Sequence, residues 1–596
     1  MLMHKNMTNL EVAELLRAVA AALSLTIGDN RFRIIAYERA ADAVEHSSSE
    51  IKDLWDDGKL SDLAGIGESI ASHLDELFRT GKVAHFQKII KPFPSSVFEL
   101  IRIPGIGPKN ALKLSKALKI TQANTAVSQL EKAAAAGLIV HIEGFGEDSQ
   151  SAIIKSIAEF RGRSRRMLLP VAQEIADSVI EWLSKSPHVK RADPLGSLRR
   201  QASTVGDVDI SAASDNSAAV IEHFGRYPKK SRVLEAGQHT SSLILGNGYQ
   251  VDLMIQPPDS YGSLLQHFTG SKHHNILLRE FALKKGYSLS EYGIRKLSKS
   301  LTKFSDEESF YNFLGLQYIP PELREGHDEI RFAQSNSLPE LVELDDIKGD
   351  FQIHSNIDVE PGHDLGESSL TQLAETAESL NYQYLGITEH NPSVSGHTQK
   401  QILNLIKHKT ELVNVFNTSH ENRGEKRVPY IFNGLEIDIL PDGTRALPES
   451  ALDLLDFACV SIHSSFRQGR KEITARVLRA LDHPKIRFFA HPTARLLGSR
   501  EGIDLEWDQI FDFCLKNNKW LEINGWPNRL DLPDTLVRDA LKFGIKLIVD
   551  TDSHSHKHLK YMRYGVSVAR RGWAKNYDII NTLSLTEIKK LIKTKK

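Results

Sequence analysis

The spacing of apolar and polar residues is helical in the first part of the chain and changes character twice further on. Segments such as ESIASHLDELF and KNALKLSKAL repeat apolar residues three and four positions apart, which predicts amphipathic helices. The helical stretch LLPVAQEIADSVIEWLSK then precedes short apolar strands around DVDIS, SSLILG and YQVDLMI, and from about Gly262 the pattern is helical again. These changes predict several domains, as does the length of 596 residues.

After Gly349 short apolar strands alternate regularly with helical stretches. The predicted strands lie in FQIHS, YQYLGITEH, YIFNGLEIDIL, FACVSIHSSF, IRFFAHP, KWLEINGW and IKLIVDTDSH. Alternation of this kind predicts a β/α barrel. Just before it, the stretch PPELREGHDEIRFAQSNSLPELVEL is rich in acidic and polar residues, which predicts an exposed connector.

The composition is that of an ordinary globular protein, with 41% hydrophobic and 25% charged residues. The two cysteines, Cys459 and Cys514, argue against a secreted disulfide scaffold and fit a reducing compartment. The first residues, MLMHKNMTNL, lack the apolar core of a signal peptide, and no run of eighteen apolar residues occurs. We therefore expect a cytoplasmic protein that does not enter a membrane.

The net charge of −1 does not indicate a nucleic-acid partner, but local charge does. From Lys82 to Lys119 there are eight basic residues and one acid, Glu99, and the RGRSRR run that begins at Arg161 adds four more. Binding to a phosphate backbone requires a local stripe of basic side chains, and it does not require the whole chain to have a positive net charge. Taken alone, a charge run is more often a solvated helix face.

Three turns of the form glycine, apolar residue, glycine occur in LAGIGES, IPGIGPK and IEGFGED, about forty residues apart. A turn of this kind directs free backbone N–H groups towards the start of the next helix, where they bind anions. One such turn is weak evidence because glycine also caps helices. Three indicate helix-hairpin-helix elements that bind the DNA backbone without sequence preference. The expected DNA-binding residues are Gly65, Gly67, Gly105, Gly107, Lys109, Gly144 and Gly146.

The stretch GSLRRQASTVGDVDI places Asp207 and Asp209 two residues apart on a predicted strand, so both side chains leave one face. Asp252 lies on another predicted strand that can pair beside the first. Clustered carboxylates suit Mg²⁺, and two such ions can activate a primer hydroxyl and stabilise leaving pyrophosphate. By itself the Asp-x-Asp pattern is more often an exposed edge strand. The residues expected to approach and pair with a triphosphate are Gly196, Ser197 and Arg200.

Over roughly residues 8–317 the chain resembles the family X DNA polymerases, through GSLRRQASTVGDVDI, VDLM and HFTGSKHHNILLREFALKKGYSLSEYGI. The resemblance implies that the three aspartates are the metal-binding catalytic triad. It implies triphosphate contacts at Gly196, Ser197, Arg200 and Gly206, sugar and base contacts at Phe268, Gly270 and Asn275, and a template contact at Arg279.

Two positions depart from this family. Eukaryotic relatives have a tyrosine that helps to exclude ribonucleotides where this chain has His267, so we do not expect strict sugar discrimination. Relatives with lyase activity form a Schiff base through a lysine where this chain has His73. Histidine cannot form that imine, so lyase activity by this route is not expected, although another lysine could serve.

Half of the 24 histidines fall after Gly349, and several end predicted strands. The strand ends of a β/α barrel open onto one face, where active sites are built. Histidine and carboxylate ligands together suit Mn²⁺, Zn²⁺ or iron. The candidate ligands are His354, His390, Glu436, His463, His491, Asp552 and His554.

Residues 346–596 resemble a PHP domain, the polymerase and histidinol phosphatase module that bacterial family X polymerases carry in this order. The resemblance implies that the candidate ligands hold a trinuclear metal centre which activates water for 3′–5′ exonuclease chemistry. Three positions depart from the motifs. Gln352 replaces the first histidine of His-x-His, Glu389 replaces the aspartate of Thr-Asp-His, and either Asp358 or Asp364 takes the place of a further aspartate.

The sequence predicts a multidomain protein of mixed α+β and α/β class. It would contain a nucleotidyltransferase palm with a mixed sheet, a thumb of helices and strands, and a distorted β/α barrel. The predicted domains are an N-terminal helical domain similar to the lyase domain (1–85), helix-hairpin-helix fingers (86–165), palm (166–260), thumb (261–320), linker (321–345) and PHP domain (346–596).

We expect a monomeric DNA-directed DNA polymerase that binds gapped or primer-template DNA and dNTPs and fills short gaps in base excision repair. The polymerase site would use Mg²⁺ or Mn²⁺, and the PHP domain an Mn²⁺ or Zn²⁺ cluster, complete or incomplete, that supports 3′–5′ exonuclease activity. Two alternatives stay open. In one, a PHP phosphoesterase is recruited to DNA by a polymerase-like half; in the other, the chain is a non-catalytic DNA-binding scaffold.

Overall fold

The computed structural model describes residues 9–26, 31–46, 51, 55, 60, 65–103, 105–164, 166–246, 249–296, 301–423 and 428–593. The chain divides into two compact units, Met1–Arg165 and Arg166–Lys596. Within the ranges just given, no helix combines the length and the apolar character needed to cross a membrane.

The first unit is helical and has two separate apolar cores. One core is formed within residues 12–86 and the other within residues 97–157. The predicted amphipathic helices form, and each buries its apolar stripe, such as Ile70, Leu74 and Leu77 of α3. The helices are α1 (Asn9–Leu25), α2 (Arg31–His46), α3 (Glu68–Thr80), α4 (Ala84–Ile90), α5 (Ser95–Leu100), α6 (Pro108–Ala117), α7 (Ala123–Ala135) and α8 (Glu147–Ser164).

The second unit begins with a five-stranded sheet, here called the mixed sheet, in the order β2-β4-β7-β6-β5. Strands β4 and β7 are parallel, and the other neighbours are antiparallel. Helix α9 buries Ala172, Ala176 and Val179 at helical spacing. The elements are β1 (Met167–Leu168), α9 (Leu169–Ser184), β2 (Arg191–Pro194), α10 (Gly196–Arg199), β3 (Thr204–Val205), β4 (Val208–Ala213), α11 (Ser217–Phe224), β5 (Lys230–Ala236), β6 (Thr240–Leu245) and β7 (Gln250–Gln256).

Residues 261–346, here called the connecting region, follow the mixed sheet. Its apolar core includes Leu278, Phe310 and Tyr311. The elements are α12 (Tyr261–Thr269), α13 (Lys272–Lys284), β8 (Tyr287–Ser290), β9 (Gly293–Lys296), β10 (Leu301–Thr302), α14 (Glu307–Phe313) and α15 (Glu329–Gln334).

The stretch predicted as an exposed connector, around residues 321–345, is exposed only in part. Arg324 and Glu329 are fully buried there. Arg324 Nη1 lies 2.5 Å from Glu307 Oε1, and His274 Nδ1 lies 2.8 Å from Glu329 Oε1. Burial of these charges is tolerated because each has a close partner. The polarity of the local sequence does not reveal such partners, because they are distant along the chain.

The last region is the barrel, built from two parallel sheets, β11-β12-β13 and β14-β15-β16-β17-β18. Strands β13 and β14 are successive parts of one stretch, and a bridge between Ile353 and Ser553 joins the first strand to the end of the last. The strands are β11 (Gly349–Ile353), β12 (Tyr384–Ile387), β13 (Tyr430–Asn433), β14 (Glu436–Asp438), β15 (Ala458–Ser461), β16 (Ile486–Phe489), β17 (Trp520–Asn524) and β18 (Leu547–Asp550).

Helices lie between the barrel strands and after them, as expected for a β/α architecture. They are α16 (Leu370–Ser379), α17 (Gln399–Arg423), α18 (Glu449–Leu452), α19 (Arg470–Leu481), α20 (Trp507–Asn517), α21 (Asp534–Phe543), α22 (Met562–Arg571) and α23 (Leu585–Lys593). The predicted fold class, mixed α+β and α/β with a distorted barrel at the end, is confirmed.

Candidate active sites

The three predicted aspartates lie together at the starts of the two parallel strands of the mixed sheet. Asp209 on β4 and Asp252 on β7 are directly paired in the parallel register, and Asp207 precedes Asp209 by two residues. Burial, with the nearby charges of Asp252 and Asp207, raises the pKa of Asp209 to about 7. A group of carboxylates that repel one another in this way favours binding of cations.

The turn before these strands lies against Asp209. The backbone N–H of Leu195 donates to the carbonyl of Asp209 at 2.8 Å. Gly196 has a φ of +55°, and a Cβ at this position would stand 2.8 Å from Asp209 Oδ2. A side chain at this position would therefore combine an unfavourable φ with a contact to the carboxylate, which glycine avoids. Ser197 follows in the same short turn and is half-buried, and Gly206 precedes Asp207.

Arg200 lies beside this turn but is engaged within the protein. Its Nε is 3.1 Å from Glu325 Oε1, and its Nη1 donates to the Thr269 carbonyl at 2.5 Å. The neighbouring Arg199 pairs with Glu307 at 2.5 Å. The Arg200 guanidinium is therefore held by Glu325 and by the end of α12.

The predicted sugar, base and template residues lie on α12 and α13. Gly270 ends α12, with a φ of +69°, and a Cβ there would stand 3.2 Å from Arg200 Nη1. Asn275 Nδ2 donates to the His267 carbonyl at 2.7 Å, so the two helices are tied together at this point. Phe268 is half-buried with its ring edge-on to His267, and Arg279 is exposed on α13.

The three glycine turns share one geometry. The first glycine of each, Gly65, Gly105 and Gly144, has a positive φ. The central apolar residue is buried, and the second glycine precedes α3, α6 or α8. At Gly67 and Gly107 this second glycine is the helix N-cap and contributes no side-chain hydrogen bond, so N–H groups of the first turn stay available. Gly146 takes the same place before α8.

The basic stripe between Lys82 and Lys119 is exposed at all eight basic positions, including Lys109 directly after the second glycine turn. The side chains of Arg161 and Arg163, and all of Arg165, lie outside the described residues. His73, on α3, is half-buried and accepts or donates a hydrogen bond with the Tyr37 hydroxyl at 3.1 Å.

The seven predicted barrel ligands converge around Glu436. One carboxylate oxygen of Glu436 lies 2.9 Å from His491 Nε2 and 3.4 Å from His463 Nε2, and the other lies 3.4 Å from both His354 and His390. Asp552 Oδ1 is 3.2 Å from His354 Nε2, and the His554 ring stacks on that of His354. Four overlapping groups of three side chains have ligand atoms close enough to share an ion.

The chemistry of this cluster fits metal ions. Glu436 is fully buried, which raises the pKa of a carboxyl, yet the histidines around it hold its pKa well below the usual range. Burial alone would lower the pKa of His354, but Asp552 and Glu436 raise it to about 10. The cluster therefore attracts positive charge. Within the described residues, its buried atoms without a hydrogen-bond partner include His354 Nδ1 and Nε2, His390 Nδ1, Glu436 Oε2, His491 Nδ1 and His554 Nε2.

The departures from the PHP motifs have different structural consequences. Gln352 is fully buried two residues before His354, and neither atom of its amide has a hydrogen-bond partner in the described chain. Glu389 accepts hydrogen bonds from the backbone and hydroxyl of Ser355, at 3.0 and 2.5 Å, and so supports the loop after β11. It belongs to none of the four ligand groups found among the described residues.

Asp358 and Asp364 differ in their position relative to the histidines. Asp364 lies 3.7 Å from His390 Nε2 and 3.5 Å from His554 Nε2. Asp358 is exposed and accepts a hydrogen bond from the backbone of Glu360. Of the two aspartates, Asp364 is therefore the one that lies beside the histidine cluster.

Sequence reasoning missed His363 and Asp438. The His363 ring lies 4.8 Å from that of His390 and 4.6 Å from that of His463. Asp438, on β14, lies 2.9 Å from His363 Nε2 and 2.7 Å from His463 Nδ1, so it orients two histidines. The available signals were the position of His363 directly before Asp364 and the spacing of Asp438 two residues after Glu436.

Two family models match the chain. Residues 7–83 match a helix-hairpin-helix domain, and residues 264–325 match the DNA polymerase beta thumb. The second match extends into the stretch that the sequence had suggested was a linker.

Known proteins align with the chain over different lengths. The DNA polymerase/3′-5′ exonuclease PolX of Bacillus subtilis is 33% identical over 597 residues, which covers 99% of this chain and 100% of that protein. DNA polymerase lambda of Arabidopsis thaliana is 23% identical over 50% of this chain and 59% of its own length. The human DNA-directed DNA/RNA polymerase mu is 36% identical over 13% of this chain and 16% of its own length.

The similarity to the Bacillus protein covers the mixed sheet, the connecting region and the barrel alike, because the matched stretch takes in 99% of this chain. The chain therefore belongs to the bacterial PolX family of DNA polymerase/3′-5′ exonucleases, within the family X DNA polymerases.

Proposed function

We propose that Asp207, Asp209 and Asp252 hold two Mg²⁺ or Mn²⁺ ions and carry nucleotidyl transfer from a dNTP to a primer 3′-hydroxyl, so that the enzyme fills short gaps in DNA repair. The observation that carries this proposal is the direct pairing of Asp209 with Asp252 on parallel strands. When bound, such ions activate the attacking hydroxyl and neutralise the leaving pyrophosphate.

The residues around the aspartates supply the positioning. Gly196 lets the backbone of the turn approach Asp209, so phosphate groups bound at this turn would lie beside the proposed metal-binding carboxylates. Ser197, Arg200 and Gly206 would complete the triphosphate contacts, and Arg200 exchanges its contact with Glu325 for one with phosphate. Phe268, Gly270, Asn275 and Arg279 lie on the two helices that would flank the sugar, base and template.

DNA would be held by the glycine turns and the basic stripe of the first unit. Backbone N–H groups at the starts of α3, α6 and α8 suit phosphate oxygens, and Lys109 adds a charge next to the second turn. These contacts do not read sequence, which suits an enzyme that acts at gaps of any sequence. Base excision repair, a monomeric state, the cytoplasmic location and the division into six domains remain parts of this proposal.

The barrel cluster would hold Mn²⁺ or Zn²⁺ and hydrolyse the 3′-terminal phosphodiester. Glu436 and Asp364 provide carboxylates on opposite sides of His390, and buried ring nitrogens without hydrogen-bond partners in the described chain surround them. Gln352 is a neutral and weak ligand, so one metal position would bind less tightly than the others.

A single experiment tests both activities. A labelled primer on a template with a short gap is incubated in Mn²⁺ with and without dNTPs. We expect the primer to lengthen with dNTPs and to shorten without them. A primer that only lengthens would show that the barrel has no exonuclease activity under these conditions. A primer that only shortens would contradict the polymerase assignment.

A further inference from the structure

Helix α22 of the barrel ends against the turn that carries the expected triphosphate contacts. Its last residue, Arg571, is nearly buried, with a side chain 10% exposed. Arg571 Nη1 lies 2.8 Å from Glu325 Oε1 and donates to the carbonyl of Arg200 at 2.7 Å. Its Nη2 lies 2.6 Å from Asp534 Oδ2 within the barrel. One barrel side chain thus contacts both the backbone of Arg200 and the carboxylate that holds the Arg200 guanidinium.

Glu325 is shared between two arginines. The same oxygen, Oε1, lies 3.1 Å from Arg200 Nε and 2.8 Å from Arg571 Nη1. Each guanidinium weakens the attraction of the carboxylate for the other, and in a partly buried site this competition is only weakly screened. A second contact supports the same turn, because the Ser567 hydroxyl donates to Gln201 Oε1 at 3.1 Å.

Without Arg571, the Glu325 carboxylate would form an ion pair with Arg200 alone. The guanidinium of Arg200 would then be held more strongly by Glu325, and the Arg200 carbonyl would lose its donor. A triphosphate would have to break a stronger ion pair to recruit Arg200. The metal-binding aspartates have no contact with Arg571 among the described interactions, so the chemical step would be unaffected.

We propose that Arg571 is a positioning residue for nucleotide binding: by engaging Glu325 and the Arg200 carbonyl, this barrel residue keeps Arg200 available to the triphosphate of the incoming nucleotide. The inference rests on the proposed polymerase function, and it makes the barrel part of nucleotide binding independently of any exonuclease activity.

The test is steady-state incorporation of one nucleotide into gapped DNA by the full-length protein. We expect Arg571→Gln, which removes the guanidinium charge but keeps a shorter polar side chain, to raise KM for the dNTP about tenfold and to change kcat by less than about threefold, because the lost interaction acts on binding. Arg571→Lys keeps the charge but loses the planar fork that spans Glu325, the Arg200 carbonyl and Asp534, so its KM should lie between those of the wild type and Arg571→Gln. The double variant Glu325→Gln with Arg571→Gln should recover most of the loss in KM, because the competing charge on Glu325 is gone.

Arg538→Ala is the matched control. Arg538 joins the barrel to Asp328 of the connecting region at 3.0 Å, and among the described contacts it has none with Arg200. We expect this variant to leave KM for the dNTP unchanged, even if the substitution lowers the melting temperature of the protein.

An unchanged KM in Arg571→Gln would overturn the inference. So would an equal rise of KM in Arg538→Ala, which would indicate a general effect of docking, or no recovery in the double variant. Failure of the wild-type protein to incorporate nucleotides would instead refute the proposed function, so the two failures are distinguishable.

Discussion

Asp209 and Asp252 stand side by side in register on the two parallel strands of the mixed sheet. The barrel cluster around Glu436 is built from a different set of strands, so the carboxylates of the two sites belong to separate sheets. The two proposed activities should therefore respond separately to substitution.

Asp209→Ala should abolish primer extension and leave the affinity for gapped DNA within about threefold. The carboxylate is a proposed metal ligand, and loss of metal catalysis costs several kcal/mol, or about a thousandfold in rate. Single-turnover extension and a DNA-binding titration measure the two effects. Extension at the wild-type rate would refute the assignment of the triad, and a matching loss of DNA affinity would indicate misfolding.

Stability without metal should depend on the charge of Asp209. Its pKa is raised from 3.8 to about 7 in the folded protein, so the penalty for ionising it is absent at low pH, develops between about pH 4 and pH 7, and is complete above pH 7. In chelator, Asp209→Asn should therefore raise the melting temperature more at pH 8 than at pH 5. Thermal melts of both proteins at the two values measure this, and an equal gain at both would contradict the pKa shift.

His463→Ala should reduce Mn²⁺-dependent nuclease activity at least about a hundredfold and leave the rate of primer extension unchanged. His463 lies 3.4 Å from Glu436 and is oriented by Asp438, whereas nothing connects it to the aspartates of the mixed sheet in the described contacts. Degradation of a labelled primer without dNTPs, beside an extension assay, measures both. A parallel loss of the two activities would show that the sites are coupled.

Asp364→Asn should reduce the metal content of the purified protein, and Asp358→Asn should not. The two aspartates lie in one loop, but only Asp364 approaches His390 and His554. Elemental analysis after dialysis against Mn²⁺ measures ions per chain without relying on activity. Equal metal content in both variants would remove Asp364 from the ligand set.

Lys109→Ala should weaken DNA binding uniformly across sequences and reduce the slope of log affinity against log salt by about 1, as expected for loss of one phosphate contact. Lys109 is exposed in the first turn of α6, two residues after Gly107 of the second glycine turn. Titrations of gapped DNA at several salt concentrations measure the slope. As a control, Lys185→Ala removes an exposed lysine at the end of α9, and its slope should match that of the wild type.

Some features of the sites were predictable because they depend on local pattern. The alternation around Asp207 and Asp209 predicted a strand with both carboxylates on one face. Apolar strands ending in histidine predicted that their ligands would meet at one end of a barrel, and they do so around Glu436. In these cases the chain itself sets which face or end a residue occupies.

Other features required the folded chain. Local polarity suggested an exposed connector, but Arg324 is buried because Glu307 lies against it. Residue type alone does not distinguish Asp358 from Asp364. Only the path of the loop brings Asp364, and not Asp358, beside His390. His363 and Asp438 were missed for the same reason.

The amino-acid sequence by itself determined the kinds of elements, the two sets of candidate ligands and the family resemblance, since each depends on residue type and short-range spacing. Only the tertiary structure decided the contact of Arg571 with Glu325, a pairing of residues 246 positions apart. Such pairings follow from how helices and sheets pack, and the free energy of a buried charge depends on the partner that packing supplies.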